Sequence, residues 1–368
     1  MAFKKKFKYY SLKNIDKFDA TYSLIYGERS NGKTTAVLRR IVENYFKDGS
    51  EGAYIRRWDL DLQGKRGAAV FDHDIIREDI KKFSNGCYTD IIYKSMRWYL
   101  AYPDENGKLI SADTPFCYGF CLNSMQHDKS TNYPRVTTIF FDEFLDKNRY
   151  LVDEFSIFLN VLSTIIRLRD NVKIYMAANT VTRYSPYWRE MGIHPEKQKQ
   201  GTIDLYTYGN KNLTVAVEYC ASSDAESKPS NKYFEFENSA KLNMITKGGW
   251  ELDAYPHLTY EMKYVPKEVV YTFFILFNDQ IFQCEVVKKS NIQFIYIHQK
   301  TTELKNPDAD LIYSLDYDPR HNWVRKITKP FNKKTQKIYN LFSRDKVYYQ
   351  DNFVGDTVMN YVRQCAKR

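Results

Sequence analysis

Gly27-Glu28-Arg29-Ser30-Asn31-Gly32-Lys33-Thr34 reads G-x-x-x-x-G-K-[ST], the phosphate-binding loop pattern. The two glycines allow a tight turn with positive φ, so that successive N–H groups converge on phosphate oxygens. Lys33 reaches the β- and γ-phosphates, and the Thr34 hydroxyl can ligate Mg²⁺. The flanks fit this reading. Tyr22 to Tyr26 is apolar and aromatic enough for a buried strand. From Lys33 to Phe46, Val37, Leu38, Ile41, Val42 and Tyr45 share one helical face, and Gly49 marks the stop. Strand, loop and helix together make the pattern a mechanism, because the helix N-terminus adds its own attraction for phosphate. A nucleoside triphosphate site is the reading; a bare surface turn before a helix is the bland alternative.

The second landmark is Val136-Thr137-Thr138-Ile139-Phe140-Phe141-Asp142-Glu143. A β-branched and aromatic run ending in two acids predicts a buried parallel strand that delivers carboxylates at its C-terminal edge. Asp142 would hold Mg²⁺ opposite Thr34, and Glu143 would act as general base on the attacking water. Leu151 to Ile166 predicts a helix whose core stripe is Leu151, Phe155, Phe158, Leu159, Leu162 and Ile165/Ile166. Arg167-Leu168-Arg169 closes it. Lys173 to Ala178 predicts another buried strand, and Asn179 at its end is placed to sense a γ-phosphate or to cap the strand.

Between these landmarks, Ala53 to Trp58 reads as a strand, with Arg56 and Arg57 facing a ligand or lying on the surface. Asp74 to Phe83 reads as a helix, and Ile91 to Tyr102 with Pro115 to Leu122 as a β-rich insert. Leu213 to Cys220 supplies one more strand. The polar, turn-rich stretch after Ala221 is the linker candidate. Val269 to Phe277, Ile281 to Val287 and Ile292 to Ile297 follow one another through tight turns, which predicts an antiparallel meander in a second, α+β domain. Val358, Tyr361, Val362 and Cys365 suggest a closing helix.

Composition bounds the function classes. The net charge is +10, and from Arg320 to Arg368 twelve Lys/Arg face three acids, so nearly the whole excess lies there. Aromatics are interleaved with these cations, which points to a polyanionic partner, with a solvated basic face as the alternative. The longest apolar run, Val269 to Phe277, is far short of the ~18 residues of a membrane span. With a basic start that lacks an apolar stretch, the chain is expected to be soluble and not exported. Six cysteines without a C-x-x-C, and no paired His spacing, argue against zinc and for reduced thiols. Cys117 and Cys121 read as strand packing.

Taken in order, Gly27–Thr34, Gln126 to Pro134, Thr138 to Phe144, Arg167 to Arg169 and Asn179 resemble the DNA encapsidation ATPases of small tailed bacteriophages whose linear genomes carry terminal proteins. The resemblance covers roughly the first 220 residues. It implies an α/β fold: a RecA-like P-loop ATPase domain, of the class with an additional strand and a catalytic glutamate, over 1–220. A linker over 221–252 and a smaller basic α+β domain over 253–368 would follow, the latter RNase H-like and vestigial. It implies that Gly27, Arg29, Gly32, Lys33, Thr34 and Asp142 bind ATP, with Thr34 and Asp142 on Mg²⁺. Glu143, Arg167, Lys129 and Asn179 would be catalytic. Arg167 would be an arginine finger offered to a neighbour's ATP and Lys129 a second cation acting across the interface; Arg169 competes with Arg167 for the finger role. Implied partners are double-stranded DNA, the portal of a prohead, a structural RNA, and identical subunits in a ring, by resemblance a pentamer. The implied setting is the host cytoplasm, with transient attachment to the prohead and absence from the mature virion. No membrane is expected.

The tail residues Arg325, Lys326, Lys329, Lys333, Lys334, Lys337, Arg344 and Lys346 are the candidates for nucleic-acid or portal contact. A nuclease would need several carboxylates converging on metal ions; Asp253, Asp279, Glu285, Glu303, Asp308 and Asp310 form no such motif. Two alternatives stay open at this point: another nucleic-acid-dependent P-loop ATPase, such as a helicase, and a nucleotide-gated assembly protein.

Overall fold

The computed structural model describes residues 9–124, 131–146, 150–151, 153–180, 182–210, 212–221 and 254–366. The chain divides into two compact units, Met1–Glu251 and Leu252–Arg368. Most of the expected linker, residues 222–252, lies outside the described residues.

The first unit is built on one ten-stranded sheet. Its strands are β1 (Tyr22–Gly27), β2 (Glu51–Arg56), β3 (Asp90–Lys94), β4 (Arg97–Pro103), β5 (Leu109–Ser111), β6 (Cys117–Cys121), β7 (Val136–Asp142), β8 (Lys173–Asn179), β9 (Ile203–Tyr208) and β10 (Leu213–Tyr219). The spatial order is β3-β4-β6-β2-β7-β8-β1-β10-β9, with β5 paired to β4. From β6 to β10 the pairings are parallel. The expected β-rich insert is antiparallel, β4 pairing with β3, β5 and β6, and β6 joins it to the main sheet beside β2. β8 lies between the phosphate-loop strand β1 and the Asp-Glu strand β7. That inserted strand identifies the RecA-like class.

Strands buried on both faces explain the near-continuous apolar runs. Along β1, Leu24 and Tyr26 enter one core and Ile25 the other; along β7, Ile139 and Phe141 oppose Phe140 in the same way. Helix α1 (Lys33–Asp48) covers one face through Val37, Leu38, Ile41 and Val42. It ends where Gly49 takes φ +76° and its N–H bonds Tyr45 O at 3.0 Å. Two short helices follow, α2 (Lys65–Ala69) and α3 (Asp74–Phe83), and α3 shares that core through Ile76 and Ile80.

Helix α4 (Glu154–Ile166) and the short α5 (Pro186–Glu190) cover the opposite face. The helix expected from Leu151 begins three residues later, after Asp153 in a left-handed conformation. Its buried stripe is Phe158, Val161, Leu162 and Ile165, whereas Leu159, expected in the core, is exposed. Phe158, Leu162 and Ile165 stand as predicted, Leu151, Phe155 and Ile166 pack against the same core, and Val161 takes the place expected of Leu159.

The second unit holds a six-stranded sheet: β11 (Val269–Phe277), β12 (Gln280–Lys289), β13 (Ile292–Lys300), β14 (Ile312–Ser314), β15 (Trp323–Val324) and β16 (Val347–Tyr349). The order is β15-β14-β11-β12-β13-β16, antiparallel within the β11–β13 meander and parallel at the other junctions. Helices α6 (Lys333–Ser343) and α7 (Asn352–Ala366) complete it. No helix among the described residues is long and apolar enough to cross a membrane.

Candidate active site

The C-terminal ends of β1, β7 and β8 open onto one cleft, lined by Ser30 to Thr35, Asp142, Glu143, Ala178 and Asn179. Gly32 takes φ +92° and caps α1, the conformation expected of it, and Ser30 also adopts a left-handed φ of +57°. Gly27 is required for closeness: a Cβ there would lie 2.8 Å from Cys220 Cβ. The loop entrance is clasped from both sides. Thr180 N–H donates to Gly27 O at 3.0 Å, and Cys220 N–H donates to Tyr26 O at 2.8 Å. Arg29 is exposed and is not among the residues that line the cleft.

Lys33 is buried, and its ammonium donates to Glu28 O (2.6 Å), Asn31 Oδ1 (3.1 Å) and Asn179 Oδ1 (3.4 Å). The loop lysine and the end of β8 are thereby brought together. Thr34 Oγ1 donates to Asp142 Oδ1 at 3.0 Å. The other carboxylate oxygen accepts from Tyr54 Oη at 2.8 Å. Burial raises the Asp142 carboxyl above its ordinary value, against the pull of the Arg56 charge and the Tyr54 and Thr34 hydrogen bonds. Burial, and then the Asp142 charge, keeps the Tyr54 hydroxyl protonated, so it serves as a donor. The paired Thr34 and Asp142 oxygens are hard donors of the kind that suits a partly hydrated Mg²⁺.

Glu143 follows at φ +57°, with its side chain exposed at the cleft. Arg56, at the end of β2, reaches Glu143 Oε2 at 2.8 Å, Asp142 Oδ2 at 3.4 Å and Asp61 Oδ2 at 3.2 Å. Burial opposes that guanidinium's charge, but Tyr54, Glu143, Asp142 and Asp61 outweigh it and raise its pKa. Of the two readings of Arg56, facing a ligand or lying on the surface, the first holds: it is a further cation beside Asp142 and Glu143. Arg57 points elsewhere and is buried, so the surface alternative fails for it. Its Nε lies 2.9 Å from both Glu154 oxygens, and it donates to Glu143 O (3.2 Å) and Phe144 O (2.8 Å). The only sequence signal for these roles was two arginines at a strand's C-terminal end.

Arg167 lies away from this cleft. It caps α4 with φ +52°, is exposed, and among the described residues its side chain donates to Thr131 O at 3.1 Å. Arg169 is bound to backbone: it donates to Ile166 O (3.2 Å), Pro134 O (3.2 Å), Ile165 O (2.8 Å) and Val136 O. Lys129 lies outside the described residues.

In the second unit, Arg325, Lys329, Lys333, Lys334, Lys337, Arg344 and Lys346 are exposed and Lys326 is partly buried. Lys333 and Lys334 open α6, so two cations sit at the positive end of a helix. The proposed carboxylates do not converge on a metal site among the described residues. Glu285 is engaged by Tyr264 and by Gln283 Nε2 (2.7 Å), with His298 at 3.7 Å. Asp308 pairs with Arg320 at 2.7 Å. Asp253 lies outside the described residues.

Comparison with known proteins agrees with this geometry. The family described as podovirus DNA encapsidation protein (Gp16) matches residues 4–234. The DNA packaging protein of Bacillus phage phi29 is 27% identical over 198 residues, 53% of each chain. That of Bacillus phage B103 is 29% identical over 186 residues, 50% of this chain and 51% of its own. The chain thus spans about half the length of the curated relatives it matches. A chain of the bacteriophage Phi-29 viral genome packaging motor assembly superposes with a TM-score of 0.59 at 19% identity, covering 97% of this chain and 99% of its own.

Proposed function

The chain belongs to the podovirus DNA encapsidation protein family, and from that premise we propose that it is an ATP-driven motor subunit that threads double-stranded DNA into a preformed prohead. The observation that carries this reading is the 3.0 Å contact of Thr34 with Asp142, with Glu143 next in the chain, at the mouth of a phosphate loop.

The loop N–H groups and the α1 N-terminus would hold the triphosphate, with Gly27 and Gly32 letting the backbone approach and Arg29 at the rim. Lys33 would exchange its loop acceptors for β/γ oxygens. Mg²⁺, held by Thr34 and through water by Asp142, would offset the phosphate charge. Glu143 would take a proton from the attacking water as its oxygen bonds the γ-phosphorus and the bond to ADP breaks. Asn179, within reach of Lys33, is suited to orient that water or γ-oxygen.

Arg167 is the better finger of the two rivals, because Arg169 is already spent on four carbonyls while Arg167, among the described residues, makes one such bond and is exposed. A finger requires a neighbour, so the active form would be a ring, a pentamer by family resemblance, docked on the portal in the host cytoplasm and lost from the finished virion. Lys129 would act across the same interface, and a structural RNA belongs to the same set of proposed partners. The order β13-β12-β11-β14-β15 supports an RNase H-like second unit, and the absence of any acid from β11 supports its being vestigial. Its mainly antiparallel meander is also unlike the second motor half that a helicase needs. Cations at a helix N-terminus oppose the helix dipole. Their presence at Lys333 and Lys334, with Lys337 close by, supports a docking role for the basic set Arg325, Lys326, Lys329, Arg344 and Lys346 as well.

The test is Glu143→Gln with proheads and DNA supplied. The reading requires a variant that binds ATP but neither hydrolyses it nor fills heads; sustained turnover would reject the motor assignment.

A further inference from the structure

The geometry points to Arg57 as the positioning residue that holds the Glu143 backbone in its left-handed turn. The inference rests on the assignment of Glu143 as general base. A non-glycine residue at φ +57° is strained, and such a conformation persists only where its surroundings over-determine it. At Glu143 those surroundings are the Arg57 guanidinium and the bond of Phe144 N–H to Ala177 O at 3.3 Å. Arg57 donates to the carbonyls of Glu143 and Phe144 together, at 3.2 and 2.8 Å, and so fixes two consecutive peptide planes. Nothing in the cleft does the same, because Arg56 grips the Glu143 side chain and leaves its backbone alone.

Arg57 is in turn immobilised. Its side chain is 5% exposed and pairs with Glu154, which is 0% exposed. Its charge lies over the Tyr150 ring, 4.9 Å from the centroid. Glu154 accepts from Tyr187 Oη and from Leu151 N–H, both at 2.7 Å. A planar fork serves here where an ammonium would not: Nε meets the carboxylate while the two terminal nitrogens reach one carbonyl each. Lysine keeps the charge but cannot span all three acceptors. Glutamine in place of Glu154 keeps an oxygen that can accept from both Leu151 N–H and Arg57 Nε, can turn its amide toward the Tyr187 hydroxyl, and removes no donor from the Glu143 and Phe144 carbonyls.

The two conservative variants therefore separate positioning from simple core stability. Arg57→Lys should lower kcat about 10²-fold with the dissociation constant for ATP unchanged, the loss expected when a reacting group is misplaced by about 1 Å. Glu154→Gln, although it leaves a buried cation without its counter-ion and melts lower, should retain most of its kcat. Equal losses in the two variants, or losses that follow their melting temperatures, would overturn the inference. Amide exchange gives a readout independent of hydrolysis. Phe144 N–H, bonded to Ala177 O at 3.3 Å, and Asp146 N–H, bonded to Tyr150 Oη at 2.9 Å, should exchange faster in Arg57→Lys than in Glu154→Gln. Unchanged exchange there would count against Arg57 even if ATP proved not to be the substrate. Wild-type protein without turnover would instead strike only the ATPase assignment.

Discussion

Thr34 Oγ1 donates to Asp142 Oδ1 across 3.0 Å, although 108 residues separate the two in the chain. The parallel sheet closes that interval, because β8 sets β1 and β7 two strands apart, with Asp142 opposite Ala177 and Gly27 opposite Asn179, two residues on. If these oxygens share a magnesium shell, Thr34→Val should raise the Mg²⁺ concentration for half-maximal turnover by about 10- to 100-fold. Chelation with EDTA should abolish turnover in parent and variant alike. Equal Mg²⁺ titration curves would remove Thr34 from the metal site.

Arg56 governs the charge of the same carboxylate. Burial raises the Asp142 pKa and Arg56 is the largest influence lowering it, so Arg56→Gln should move the acid limb of the turnover profile to higher pH. A raised carboxyl pKa means that the protonated form favours folding, and that this contribution is lost as pH rises through the folded-state value. Asp142→Asn should therefore melt higher than the parent at neutral pH, with the difference shrinking in acid. A fixed difference across pH would contradict the assignment.

The two arginines after α4 should respond in opposite ways. Arg167→Ala should cut turnover in assembled rings at least ~10³-fold while leaving ATP binding and melting unchanged. Arg169→Ala removes donors from four backbone carbonyls and should cost about 2 kcal/mol of stability. Its turnover should persist. Calorimetry alongside steady-state hydrolysis checks both, and reversed outcomes would transfer the finger role to Arg169.

The lysines of α6 offer a trade between stability and binding. Replacing Lys333 and Lys334 by Gln relieves a dipole clash of about 0.3–1 kcal/mol each, so the second unit should unfold later. Adding Lys337→Gln should flatten the dependence of log K for DNA on log salt by about 2–3. If the unmodified chain touches six phosphates, its own slope is near about −5. A salt-independent affinity would dismiss docking by charge.

Glu285 and His298 give the second unit a pH signature. Contact with His298, above all, lowers the Glu285 pKa to about 2, and the same contact raises that of His298. The carboxylate contributes stability above its ordinary 4.5, lost as pH falls through about 2. The imidazolium contributes below its ordinary 6.5, lost as pH rises through its raised value. Both act fully only between those ordinary values. His298→Gln should therefore lose the part of the melting-temperature decline that sets in as pH rises above the ordinary 6.5.

What could be read from the residues alone followed from periodicity and from motifs whose chemistry fixes their spacing. Leu24, Ile25 and Tyr26, like Ile139, Phe140 and Phe141, carry no polar alternation, so a two-sided parallel sheet was legible, and the acids at the end of β7 followed from it. Tyr54, Arg56 and Arg57 were opaque, because a hydroxyl or guanidinium at a strand end reads the same whether it meets solvent or a carboxylate from another strand. The left-handed backbone of Glu143 leaves no trace in a sequence, as no glycine marks it. Short elements such as β14, β15 and β16, at two or three residues each, fall below any period that could reveal them. The start of α4 was misjudged because Leu151 is tethered by the Glu154 carboxylate rather than by a helical turn.

Thr180 and Cys220 grip the strand that feeds the phosphate loop, and Gly27 is crowded against Cys220 so closely that not even a methyl group fits between them. A rim held this way is a fixed anvil. On the proposed function, any displacement that followed hydrolysis would fall to segments beyond those strand ends, where among the described residues no such clasp crowds the backbone.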